Sequence, residues 1–151
     1  MEVLSATDVR NEWSAVVDSV IRDKPKFIKR TRDYLFLTDI TILESLLSAY
    51  TFTAEAFIET DGSVTLSLHE IDLVENAADL HGATAKLAGA ILEYAEDYYH
   101  DFTFWARGAG KAHIPYVLRA LILNDPNVIG GMIECRPGSA PYIRPAPFSS
   151  R

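Results

Sequence analysis

Cysteine is almost absent from this chain: Cys135 is the single one in 151 residues. That excludes an internal disulfide framework and fits a reducing compartment, the cytoplasm. Long apolar runs are missing as well. No stretch approaches the roughly 18 residues a membrane-spanning helix needs, and the first residues lack the basic-then-apolar pattern of a secretory signal, so no membrane partner is expected. His69, His81, His100 and His113 show no metal-ligand spacing. A Gly-x-Ser-x-Gly elbow and a Cys–His pairing are also missing. Neither a cofactor nor an enzymatic activity is expected. The segment Arg107-Gly108-Ala109-Gly110-Lys111-Ala112 comes nearest to a phosphate-binding loop. It lacks the required spacing and supplies no hydroxyl after the lysine, so it reads as a loop between two helices.

Charge of one sign is scarce in places and crowded in others. The net charge is −7, which evenly spread would argue against nucleic acid. Residues 51–134, however, hold four Lys/Arg against thirteen Asp/Glu, a balance of −9, whereas residues 1–50 hold seven against eight. Six of those seven bases fall between Arg22 and Arg32. A local basic patch is what meets phosphates, so the acidic total is a weak guide.

The pattern of residues predicts an α+β protein in two parts. Val3-Leu4 reads as a short strand, and Ser5-Ala6-Thr7-Asp8 as a capping-box helix start. Val9, Trp13, Val16, Val17, Val20 and Ile21 recur at helical spacing, as one amphipathic helix or two abutting ones. Lys26–Lys29 and Tyr34–Leu37 are strand candidates with a turn at Arg30–Asp33. Thr38 or Asp39 can cap a third helix striped by Leu43, Leu46, Leu47 and Tyr50. The boundary is placed near residue 50. Beyond it, Thr51–Ile58 and Ser63–Leu68 flank an Asp61-Gly62 turn, and Asp72–Glu75 is a third strand. A long helix from Leu80 carries the stripe Leu87, Ile91, Tyr94, Tyr98 and Phe102. Pro115 opens another helix to Leu123, and Val128–Cys135 reads as a last strand. Residues 136–151, with four prolines, are expected to form an extended tail. Phe104 and Trp105, at a helix end, are the candidates for an exposed partner contact.

The N-terminal block resembles the Phd/YefM (prevent-host-death) antitoxins. The matching residues are Val3-Leu4-Ser5-Ala6-Thr7-Asp8-Val9-Arg10-Asn11, Val16-Val17-Asp18-Ser19-Val20, Phe27-Ile28-Lys29-Arg30, Tyr34-Leu35-Phe36-Leu37-Thr38 and Leu43-Glu44-Ser45-Leu46. The resemblance implies a homodimeric head over residues 1–50 that binds double-stranded operator DNA. By position, the implied contacts are Arg10 at the N-terminal end of the first helix, and Lys29, Arg30 and Arg32 on the basic hairpin. The chain departs from the family in carrying Thr31, not glycine, in the hairpin turn, with Asp33 beside it. It departs further in having an apolar module over 51–135 where the family ends in a segment that folds on the toxin. Glu59-Thr60-Asp61-Gly62-Ser63-Val64-Thr65-Leu66, with the helix ending Leu92–Tyr98, is similar to HicB-type antitoxin domains.

The function expected on this resemblance is that of a type II antitoxin: an autorepressor that neutralises its toxin by covering it. A cationic, RelE-like ribonuclease would suit the −9 balance. The competing expectation is a stand-alone transcription regulator whose second part senses a small ligand under the long helix.

Overall fold

A computed structural model describes residues 1–138; the remainder of the expected tail, 139–151, lies outside the described residues. The chain divides into two compact units, Met1–Leu46 and a second from Leu47 onward. Among the described residues it is a mixed α+β protein with two sheets, seven α-helices and one 3-10 turn.

In the first unit, β1 (Val3–Ser5) runs into α1 (Ala6–Asn11) and α2 (Trp13–Arg22), then β2 (Lys26–Arg30) and β3 (Asp33–Leu37), with α3 (Ile40–Leu47) closing it. The capping box forms: the Ser5 hydroxyl accepts from the Asp8 amide at 3.1 Å and donates to its carboxylate at 2.6 Å. The helical stretch breaks at Glu12, so two short helices stand where the periodicity left one or two open. β2 is central, parallel to β1 and antiparallel to β3. Val9, Val16 and Ile28 form a small core with Leu4, Ala6 and Leu37 around it. Two residues of the expected stripe depart from it. Trp13 and Ile21 are 55% and 61% exposed, outside the small core. Leu46 is exposed too, while Leu47 is buried. Asp39 caps α3 through the Thr41 amide at 2.8 Å.

The second unit builds the sheet β6-β5-β4-β7 from β4 (Phe52–Ile58), β5 (Val64–Leu68), β6 (Val74–Ala77) and β7 (Ile133–Pro137). Gly62, at φ 83°, makes the β4–β5 turn. β6 starts two residues later than the sequence suggests, because Leu68 N–H bonds Leu73 O in a tight turn that consumes Asp72 and Leu73. α4 (Leu80–His100) is N-capped by Asp79 and packs on β5 and β6, with α6 (Ile114–Leu123) and α7 (Pro126–Met132) against it. Leu87, Ala88, Ile91 and Tyr98 of α4 are fully buried with Phe52, Leu66, Val117 and Ile129. Tyr99 faces water, and Phe102 belongs to a separate short helix, α5 (Phe102–Trp105).

The expected strand Val128–Cys135 is corrected. Asn124 turns left-handed at φ 46° to end α6, the Asp125 side chain caps the Asn127 amide at 2.8 Å, and Pro126 suits a first helical turn. Residues 126–132 are therefore helical, despite the β-branched Val128 and Ile129. The strand is Ile133–Pro137, parallel to β4, and it takes in the first two residues assigned to the tail.

Candidate functional site

The hairpin is closed by Arg30 opposite Asp33, leaving Thr31 and Arg32 as its two loop residues. Thr31 has φ 58° and Arg32 does not take a positive φ. A positive angle at the first loop position alone is the type II′ pattern, which matches the right-handed strand twist and prefers glycine there. A β-branched residue occupies it here, at a steric cost of roughly 1–2 kcal/mol.

Side chains alternate along a strand, so Lys29 goes with Phe27 and Arg30 with Ile28. The predicted bases are thus not on one face. Lys29 Nζ lies 5.6 Å from the centre of the Tyr34 ring, and Phe27 packs on Phe36 at 5.0 Å. This makes an exposed aromatic sheet face, whose signal in the sequence is the alternation Phe27, Lys29 and Tyr34, Phe36 rather than the bases alone. Arg30 shares the helix-side face, and Arg32 sits on the turn itself. Arg10 lies in the last turn of α1, not at its N-terminal end, because the helix is six residues long and starts at Ala6. All four are exposed, and none belongs to an ion pair among the described residues. Lys24, by contrast, pairs with Glu2 at 2.9 Å. That contact holds the Glu2 carboxyl below its usual range and raises the lysine.

In the second unit, Phe104 is 63% exposed and Trp105 37%. Trp105 stacks on Tyr98 at 6.2 Å and 25°, meets Tyr94 edge-on at 5.7 Å, and receives Phe104 edge-on at 5.5 Å. The glycine-containing segment after α5 is a 3-10 turn, Gly108–His113, and its role is packing. The buried Tyr98 hydroxyl donates to Gly110 O at 2.7 Å, and Tyr94 Oη lies 2.7 Å from His113 Nδ1. A Cβ on Gly110 would fall 2.0 Å from the Trp105 carbonyl oxygen, so only glycine fits. Burial pushes the Tyr94 and Tyr98 phenols above their ordinary range.

The inner face of α4, where a ligand pocket was the alternative expectation, is filled by fully buried side chains. A groove of about 440 Å³ opens instead beside the β4–β5 turn. There the Thr65 hydroxyl donates to Glu59 at 2.5 Å, and the Asn76 amide donates to Ser63 and Thr65 at 3.0 Å each. No three His, Cys, Asp or Glu side chains converge as a metal site among the described residues.

A family model labelled PHD-like, described as antitoxin of toxin-antitoxin, RelE/RelB, TA system, matches residues 1–135. A crystal structure described as an antitoxin part of a candidate toxin/antitoxin system from Syntrophomonas wolfei subsp. wolfei is similar to this chain at 33% identity and TM-score 0.86. The match covers 91% of this chain and 100% of that one. No curated protein matches.

Proposed function

The chain belongs to the PHD-like antitoxin family of RelE/RelB toxin–antitoxin systems, and from that premise we propose that it is a dimeric repressor of its own operon that silences a cognate toxin by direct contact. In this reading residues 1–50 are a Phd/YefM-type DNA head, residues 51–135 hold the toxin, and the protein acts in the cytoplasm without catalysis. The order strand, two helices, hairpin and helix supports the Phd/YefM assignment.

The observation that carries the DNA reading is the cluster of unpaired bases at the hairpin end. Arg30 closes a tight turn and Arg32 sits on it, both exposed and outside every ion pair among the described residues, where a backbone or groove can be reached. Each such base that meets a phosphate releases counterions, and a guanidinium fork can also read a guanine edge.

The first unit's poverty of core supports the dimer. Phe27, Tyr34, Leu35 and Phe36 are exposed on its sheet, and its central cluster is three buried residues. About fifty residues rarely stabilise themselves on so little. A second copy covering the apolar surface supplies the missing burial and presents two hairpins to a pseudo-palindrome.

The test is operator binding over a salt series for the Arg30→Ala/Arg32→Ala double variant. Removing two phosphate contacts per protomer lowers the slope of log K against log salt by about 3.6 for a dimer, at roughly 0.9 per contact. Unchanged affinity and slope would remove the hairpin from the DNA interface.

A further inference from the structure

Just beyond α4, Phe104 and Trp105 of α5 are packed in place yet reach water. Trp105 is fixed from below by Tyr98 and Tyr94, and from the chain side by the close approach of Gly110. Every residue of α5 is exposed. Phe104 nonetheless keeps 63% of its surface and Trp105 37% open to water. Preorganised, solvent-facing aromatics lose little entropy on binding and are what interface hot spots are made of.

The neighbouring charge says what they would receive. Glu93 and Asp97, four residues apart, share one face of α4, and Asp101 follows as the non-helical residue between α4 and α5. Glu93 and Asp97 each lie one position, about 100° around the helix, from Tyr94 and Tyr98. With Glu96 and Asp101 they give residues 93–111 four carboxylates against Arg107 and Lys111, and none of the four is in an ion pair among the described residues. Asp101 is the acid next to the exposed rings, its carbonyl accepting from the Phe104 and Trp105 amides at 3.0 and 3.1 Å, and a carboxylate there suits a guanidinium, which stacks on a ring and pairs with a carboxylate at once.

We infer that this aromatic ledge is a receptor for arginine side chains on a cationic protein partner. That the partner is the toxin rests on the function proposed above; the preference for arginine does not. In a Trp13→Phe background Trp105 is the only tryptophan, so its emission reports the ledge alone. Nona-arginine and nona-lysine peptides titrated into the full chain at about 0.15 M salt, where the screening length is about 8 Å, should separate stacking from bare charge. The arginine peptide is expected to change Trp105 emission saturably and to bind about threefold to fivefold tighter than the lysine peptide. Phe104→Ala, and separately Asp97→Asn with Asp101→Asn, should each weaken it by about the same factor with an unchanged thermal melt. Equal binding of the two peptides, or wild-type binding by both variants, overturns the proposal.

A growth-rescue experiment against the toxin encoded beside the chain's own gene tests the partner. The wild-type chain should rescue, while the combined Phe104/Asp97/Asp101 variant should fail to rescue and still bind operator. Rescue by that variant removes the ledge from the toxin contact and overturns the assignment. Failure of the wild-type chain to rescue overturns the antitoxin reading, and leaves the arginine preference to be decided by the peptides.

Discussion

Two glycine-to-alanine substitutions, one helix apart, should have opposite signs. At Gly110 the new Cβ would sit 2.0 Å from the Trp105 carbonyl oxygen, where ordinary contact begins at 3.4 Å. About 1.4 Å of separation is required, and the obstacle is backbone, not the tip of a flexible side chain. The short helix α5 must move away from the 3-10 turn. Overpacking of this kind costs about 1–3 kcal/mol. Displacing the Gly110 carbonyl also loosens the 2.7 Å bond from Tyr98, a contact worth about 1 kcal/mol net. Gly110→Ala should therefore lose about 2–4 kcal/mol, a large share of a typical stability of about 5–15 kcal/mol. Gly89, in the interior of α4, has nothing within 4 Å of its built Cβ. Alanine there removes unfolded-state freedom and should gain about 0.5–1 kcal/mol. Urea unfolding of both variants, followed by far-UV circular dichroism and by Trp105 emission in the Trp13→Phe background, gives the comparison. Stability of Gly110→Ala within about 0.5 kcal/mol of wild type would refute the packing role given to the 3-10 turn. A destabilised Gly89→Ala would refute the helix argument.

Thr31→Gly should stabilise the hairpin by about 0.5–1 kcal/mol, the relief of a left-handed β-branched residue less the extra freedom of unfolded glycine; a lower melting temperature would sink the type II′ assignment. Arg119, 9% exposed, donates from Nη1 to Leu47 O at 2.6 Å, and Arg119→Met should lose about 1.5–3 kcal/mol, read from the urea midpoint. Burial raises the phenols of Tyr94, Tyr98 and Tyr116. The folded state then keeps those protons at a pH where the unfolded chain has lost them, so stability holds below about pH 10 and falls above it. Tyr98→Phe should make that alkaline fall shallower, and an equally steep fall would remove Tyr98 as its source.

Local chemistry made the element order of the first unit readable. A Ser–Asp capping box, Lys24-Pro25 and two strand-like runs around a turn act over a few residues, and the structure has those elements where the sequence puts them. Asp61-Gly62 and Pro115 were legible for the same reason. Val128 and Ile129 favour a strand by side chain, but the Asp125 cap and Pro126 start a helix, and burial of Ile129 in the core holds it there. Trp13 and Ile21 keep helical period, yet stand outside the small core. The bases Lys29, Arg30 and Arg32 were visible as a charge cluster. Their division between two sheet faces and a turn needed the strand register, because a pleat sends neighbours to opposite sides. Likewise the sequence showed a glycine-rich break after a row of aromatics. That the break exists to lock Trp105 in place, with Gly110 against its carbonyl, follows from a backbone approach between residues five apart, which composition and period do not encode.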